Sequence, residues 1–198
     1  MAAGAILAFT LDLRDTTGAL MLPLTAAQIL WINLMTDGVP ALALAFDRTP
    51  EVMQQPPRPA NAPLLDRPSV RYVVAAGGMK AVLALAVLGV LPLFGYSLDV
   101  TRAAAFHFMA VGQLLLTYPS RHTWMRPLPN AYLHAAVILG VGIQVAAASL
   151  PWTSELLGRA AIPGELWGVV FGGALLAWGL AETCARLAWR RPRQEGIG

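Results

Sequence analysis

Long apolar stretches alternate with short polar segments along most of the chain. Five of these stretches have about 18–25 residues, which is the length that a helix needs to cross a bilayer. They are predicted at residues 24–45, 70–94, 101–118, 132–150 and 165–187. Residues 1–11 are also apolar, but a helix of that length would extend only about 16 Å. The pattern therefore predicts an all-α, polytopic transmembrane helix bundle with five full spans and a partial N-terminal one, the second half of an incomplete helix.

Composition supports a membrane protein. The chain has 198 residues, of which 57% are hydrophobic and 13% are charged, whereas soluble domains contain about 25% charged residues. Cys184 is the only cysteine, which excludes an intrachain disulfide and a Cys/His zinc cluster. The sequence contains no Gly-rich phosphate-binding loop of the Walker type. No nucleic-acid partner is expected, and the predicted surroundings are a lipid bilayer.

Arginine is concentrated in alternate connecting segments. Ten arginines lie in residues 46–71, 119–131 and 186–198. Three lie in residues 11–23, 96–102 and 151–165. Because cytoplasmic loops carry an excess of basic residues, the first set is predicted to be cytoplasmic. The C-terminus of this multi-pass protein is then also cytoplasmic. One Lys beside 13 Arg, with frequent Ala, Leu and Gly, indicates a high-GC bacterial gene, so a bacterial inner membrane is expected.

A polar interruption marks the first full span. Asn33, Thr36 and Asp37 are spaced i, i+3 and i+4, so they are predicted to share one face of a helix. A carboxylate inside a membrane segment is costly and by default indicates function, and clustered oxygens suit a hard cation. Gly38 and Pro40 follow, and Pro40 removes a donor and crowds the carbonyl of Thr36. We expect a partly unwound helix here, whose carbonyls can help to coordinate an ion.

The residues from Gln28 to Ala41 resemble the sixth transmembrane helix of P-type cation-transporting ATPases, most closely the calcium-pump branch. The segment from Asp47 to Leu65 is similar to the loop that follows that helix in the family. The resemblance implies that residues 1–189 form the C-terminal membrane domain, with a cytoplasmic Pro-rich loop at 46–69. Residues 190–198 would form a cytoplasmic tail.

The resemblance also implies site residues. Asn33, Thr36 and Asp37 would bind the transported cation, for which calcium is expected, although Mn²⁺, Na⁺ or protons also fit these residues. Gln113 stands where the eighth helix of the family has a ligating side chain, and packing between helices is the alternative for it. Leu116 is apolar where calcium pumps can have a polar residue, which argues against a full calcium-pump ion stoichiometry. Mg-ATP would be bound only by domains that this chain does not contain.

Other polar residues fall inside the predicted spans. Lys80 could neutralise Asp37, but snorkelling to an interface or pairing with a carbonyl or acidic neighbour is favoured. His107 is predicted to be a hydrogen-bonded packing residue. Glu182 and Arg186, at i and i+4, are predicted to form a local ion pair.

Two further segments contain residues with a possible chemical role. Asp47, Arg48 and Arg58, in the Pro-rich loop, could dock a cytoplasmic phosphorylation domain, with a stiff linker as the alternative. Asp15 to Leu20 faintly resembles the phosphorylation motif of P-type ATPases. The lysine of that motif is absent and the segment is ordinary turn chemistry, so no catalytic residue is predicted.

The sequence is therefore interpreted as a fragment or truncated form of a P-type, calcium-transporting ATPase. It would contribute part of the transmembrane cation site and would not hydrolyse ATP alone. Its partner would be the missing N-terminal portion of the pump or a separate ATPase subunit. The alternatives are a self-standing accessory membrane protein and a small channel or secondary transporter. A channel or secondary transporter would require internal repeats, and no repeat is evident in the sequence.

Overall fold

The computed structural model describes residues 24–47, 66–121, 129–157 and 160–189. Every regular element in these ranges is helical, and they contain no strand. A π-helical turn, Leu34–Gly38, separates the first two helices, and a 3₁₀ turn, Leu91–Phe94, continues the third. The α-helices are α1 Ala26–Asn33, α2 Val39–Leu44, α3 Arg67–Val90, α4 Leu98–Ser120, α5 Ala131–Ser149, α6 Pro151–Leu157 and α7 Leu166–Ala188.

The helices confirm the predicted all-α class, and four of them are long and apolar enough to cross a membrane. These are Ala26–Leu44, Arg67–Phe94, Ala131–Ser149 and Leu166–Ala188. The predicted span 101–118 is also helical, within α4, but α4 is not among the four. The predicted count of five full spans is therefore not established by length and hydropathy. The predicted partial helix at 1–11 lies outside the described residues.

Helix α4 forms the centre of the bundle and packs most extensively against α7. Ala103, Ala104 and Phe106 are fully buried. Small residues on the central helix allow its neighbours to approach closely, and such close packing is what holds helices together in a membrane. Phe108 is also fully buried, and a Cβ atom added at Gly173 of α7 would lie 3.2 Å from its ring. Being covered by other helices, α4 can carry polar residues that a lipid-facing helix could not.

The outer surface of the bundle is apolar. Large hydrophobic side chains are exposed on every long helix around α4, including Leu42, Val74, Ile138 and Leu175. A soluble monomer seldom exposes apolar surface on this scale. The described helices therefore form a bundle whose outer face suits lipid chains.

Gly140 sets the distance between α5 and α4. A Cβ atom added at Gly140 would lie 2.9 Å from Leu114 Cδ2, whereas one added at Gly142 would meet nothing within 4 Å. Leu114 is 1% exposed, so it cannot move aside without disturbing its neighbours. We expect Gly140→Ala to be less stable than Gly142→Ala by about 1–3 kcal/mol. Unfolding titrations of the two variants in mixed micelles measure this difference, and equal stabilities would contradict the packing.

A polar cluster joins the ends of α2, α4 and α5. The Arg121 guanidinium donates from Nε and Nη2 to the two carboxylate oxygens of Asp47, at 2.7 and 2.9 Å. Asn130 donates to Ala43 O at 2.9 Å and to Asp47 Oδ1, and its own Oδ1 accepts from Leu133 N at the start of α5. One amide thus caps α5 and ties it to the end of α2.

Replacing Asn130 tests that cluster. We expect Asn130→Ala to destabilise the bundle by about 2–3 kcal/mol, because it removes a helix cap and leaves buried partners unsatisfied. Ser97→Ala is the matched control, since Ser97 caps α4 through a single, exposed 3.4 Å hydrogen bond. It should cost about 1 kcal/mol or less. Chemical denaturation in the same detergent compares the two, and a Ser97 effect as large as that of Asn130 would contradict this account.

Candidate cation site

The first span is interrupted where the sequence predicted an interruption. The backbone is α-helical through Asn33, widens into the π-helical turn from Leu34 to Gly38, and returns to α-helix at Val39. Pro40 lies in the first turn of α2. A proline cannot donate to the carbonyl four residues earlier, and its ring would collide with that carbonyl in a regular α-helix. The π-helical turn gives the space that Pro40 requires, so the helix widens and continues instead of unwinding as expected.

Thr36 is the buried polar residue of this turn. It is 5% exposed, and its hydroxyl donates to Ile32 O at 2.7 Å. A hydroxyl that donates its only hydrogen to the backbone directs its oxygen lone pairs at other partners. The arrangement therefore presents an oxygen inside a membrane-crossing helix, and π-helical turns of this kind are frequent at functional sites.

The other two predicted ligands on this helix differ from Thr36. The side chain of Asn33 is exposed on the described bundle, so it does not share the buried environment of Thr36. The prediction of one common face assumed the α-helical period, and the π-helical turn changes that period directly after Asn33. Asp37 belongs to the π-helical turn, and its side chain lies outside the described part of the chain.

Gln113, the fourth predicted ligand, lies on α4, the central helix that packs against the π-helical turn. Its amide oxygen accepts a hydrogen bond from Lys80 Nζ of α3 at 2.5 Å. Lys80 is only 6% exposed, so its side chain is covered by the bundle instead of snorkelling to an interface. Gln113 therefore makes an interhelical hydrogen bond, one of the two roles predicted for it.

A second buried polar cluster joins His107, Gln144 and Trp31. Of these, only His107 was predicted to be a hydrogen-bonded packing residue. His107 is fully buried, and its Nδ1 lies 2.8 Å from Gln144 Nε2. Gln144 Oε1 accepts from Trp31 Nε1 at 2.9 Å, and the Trp167 ring packs on the imidazole. His107 is thus a hydrogen-bonded packing residue, as predicted. The role of Gln144 was not predicted. An amide inside an apolar span needs a hydrogen-bond partner, so its position in the sequence could have indicated an interhelical contact.

The remaining predictions concern one ion pair, the charged residues of the Pro-rich loop and the segment from Asp15 to Leu20. Glu182 and Arg186 form the predicted ion pair at 2.8 Å. Arg48, Arg58 and the segment from Asp15 to Leu20 lie outside the described residues. Asp47 is described, and both of its carboxylate oxygens bind Arg121, so the bundle itself uses the side chain that was expected to dock another domain.

The chemistry of the described side chains narrows what a cation could bind. Among them, no group of three His, Cys, Asp or Glu residues lies together. The candidate ligands are the Thr36 hydroxyl and the backbone oxygens of the π-helical turn, the amides of Asn33 and Gln113, and Asp37 as the carboxylate of that turn. Such an all-oxygen set suits hard cations and not the soft metals that prefer sulfur or imidazole.

Comparison with known proteins decides the family. The sequence model described as "Cation transporting ATPase, C-terminus" matches residues 21–187, which is most of the chain. The chain belongs to this family. The resemblance inferred from Gln28 to Ala41 is thereby confirmed, and the match extends from before α1 into the last turn of α7.

Relatives within the family are calcium pumps by name. The calcium-transporting ATPase of Bacillus subtilis (strain 168) is 31% identical over 163 residues, which cover 78% of this chain and 18% of the relative. Calcium-transporting ATPase 1 of Bacillus cereus (strain ATCC 10987 / NRS 248) is 29% identical over 170 residues, covering 75% and 19%. Calcium-transporting ATPase 1 of Schizosaccharomyces pombe is 54% identical over 44 residues, covering 22% and 5%. This ATPase C-terminal domain spans less than a fifth of the bacterial relatives.

Proposed function

We propose that this chain serves as the C-terminal membrane domain of a calcium-transporting P-type ATPase and that its π-helical turn supplies part of the cation site. The observation that carries the proposal is the buried Thr36 oxygen, placed by the π-helical turn inside a membrane-crossing helix. Calcium is the proposed cation because the relatives are calcium-transporting ATPases and the available ligands are oxygens.

The proposed ligands are Asn33, Thr36 and Asp37, and Gln113 joins them as the fourth only where its amide oxygen is released from Lys80. Ca²⁺ takes six to eight oxygens, so these side chains supply only part of its shell. Asn33 is exposed on the described bundle, which fits a position where helices from the rest of the pump complete the site. The remaining ligands, like the Mg-ATP chemistry, would come from that other portion or from a separate ATPase subunit.

The membrane arrangement completes the proposal. Helix α4 has 23 residues and extends about 34 Å, so we include it as a fifth span that is shielded by its neighbours. The positions of the arginines favour a cytoplasmic C-terminus in a bacterial inner membrane. The Pro-rich loop at 46–69 and the tail at 190–198 would then be cytoplasmic, and Arg48 and Arg58 of that loop would serve the proposed docking.

A chimera tests the proposal. This chain replaces its matched segment in the Bacillus subtilis calcium-transporting ATPase, and ATP-dependent ⁴⁵Ca²⁺ uptake is measured in inside-out membrane vesicles. We expect uptake that a calcium ionophore releases, together with ATP hydrolysis that calcium stimulates. A monodisperse chimera that hydrolyses ATP equally with and without calcium, and accumulates none, would contradict the proposal. The native pump and a chimera inactivated in its ATPase domain are the two controls.

A further inference from the structure

Lys80 lies near the middle of a membrane-length helical segment, far from both ends. The helical segment runs from Arg67 to Phe94, so Lys80 stands about 20 Å from either end. A lysine side chain extends only about 6 Å from its Cα atom, which is too short to snorkel over that distance. A charged side chain at this depth is costly and by default indicates function.

The neighbouring helix is shaped to receive this lysine. A Cβ atom added at Gly112 would lie 3.7 Å from Lys80 Cε, so the lysine stem passes close over the glycine. The next residue, Gln113, accepts the ammonium hydrogen bond. Gly112 is thus where the aliphatic part of the Lys80 side chain comes closest to α4. Gln113 is the polar residue that binds the ammonium at the end of that side chain.

We propose that Lys80 is a tethered cation that binds the Gln113 oxygen in place of a transported ion. This inference rests on the proposed function, because Gln113 lies on the helix that packs against the π-helical turn. The Lys80 ammonium and a calcium ion would compete for the Gln113 amide oxygen, and their positive charges would repel each other. Lys80 therefore confines the transported cation to the ligands of the π-helical turn and lowers the affinity for divalent ions.

The proposal makes a prediction about two residues together. If Lys80 occupies the Gln113 oxygen, then Gln113 contributes little to calcium affinity while the lysine is present. Removal of the lysine releases the oxygen and removes a positive charge, so Gln113 becomes a ligand. The two substitutions should therefore be strongly non-additive, as expected for groups that interact directly.

The experiment is a double-mutant cycle in the purified chimera, read as the Kd for ⁴⁵Ca²⁺ by equilibrium dialysis. We expect Lys80→Met to lower the Kd by about tenfold or more. Gln113→Leu alone should change it by less than about threefold. Gln113→Leu added to Lys80→Met should reverse most of the gain. Lys80→Gln, which is neutral but polar, should shift the Kd in the same direction as Lys80→Met and provides a second neutral variant.

Two controls separate this effect from a general loss of charge or packing. Lys80→Arg keeps the charge and should leave the Kd within about threefold. Arg102→Met removes the cation that pairs with Asp99 at 3.1 Å near the start of α4, and it should leave the Kd unchanged. An unchanged or raised Kd in both Lys80→Met and Lys80→Gln would overturn the proposal.

Failure of the tethered cation can be distinguished from failure of the proposed site. The proposed site fails if Thr36→Val and Asp37→Asn leave calcium affinity unchanged. The tethered cation fails if those two variants weaken binding as expected while the neutral Lys80 variants do not strengthen it.

Discussion

Asp37→Asn is expected to reduce ATP-dependent calcium uptake by the chimera by at least about 100-fold. Asp37 is the one carboxylate among the four proposed ligands, and it belongs to the π-helical turn that also holds the buried Thr36. Calcium sites rely on carboxylates, and an amide of nearly the same shape removes the negative charge while preserving volume. A 100-fold increase in the Kd for calcium would correspond to about 3 kcal/mol of cation binding.

Asp99→Asn is the matched control for that experiment. Asp99 is also a carboxylate of the membrane domain, but it lies in the first turn of α4 and pairs with Arg102 at 3.1 Å. The pair is local to the first turn of α4 and Asp99 is not one of the proposed ligands, so uptake should stay within about twofold of the parent chimera. Equal losses in the two variants would mean that uptake responds to any acidic residue of this domain, which contradicts a site at the π-helical turn.

Phe108→Ala is expected to have the largest effect on stability, about 3 kcal/mol. The ring is fully buried and packs with Val111, Val170 and Ala174 against α7. In a bilayer the transfer of apolar surface contributes little to helix association, so the cost arises mainly from lost van der Waals contacts and from the cavity. Unfolding of the chain in mixed micelles, followed by circular dichroism, measures the effect.

Phe94→Ala is the control for the packing experiment. Phe94 is 77% exposed, in the 3₁₀ turn that follows α3. Its removal leaves no cavity inside the bundle, so its effect should stay below about 0.5 kcal/mol. If the two phenylalanines contribute equally, the close contact between α4 and α7 does not stabilise the bundle.

The positions of the helices could be predicted from the sequence because helices that face lipid must be apolar. The first predicted span, 24–45, corresponds to Ala26–Leu44, and the last, 165–187, corresponds to Leu166–Ala188. Hydropathy is a weaker predictor for α4, because the neighbouring helices cover it and it can therefore contain polar residues. His107 and Gln113 of α4 contact polar partners on other helices, and a linear pattern does not identify those partners.

The interruption of the first span was predicted, but its geometry was not. Pro40 and Gly38 indicated an interruption, and the interruption is there. The separation of Asn33 from Thr36 was not foreseen, because the spacing argument assumed 3.6 residues per turn. The position of Lys80 on Gln113 was not foreseen either, since it depends on how α3 packs against α4.

Calcium binding by Thr36→Val tests the central claim most directly. The matched control is Thr183→Val in α7, because both hydroxyls donate to the carbonyl four residues earlier, at 2.7 Å for Thr36 and 2.8 Å for Thr183. The Kd for ⁴⁵Ca²⁺ is measured for both variants of the purified chimera. A site at the π-helical turn predicts a Kd raised about tenfold or more by Thr36→Val and unchanged by Thr183→Val. The same Kd in both variants would show that the Thr36 hydroxyl only caps a backbone carbonyl, and the π-helical turn would not be the cation site.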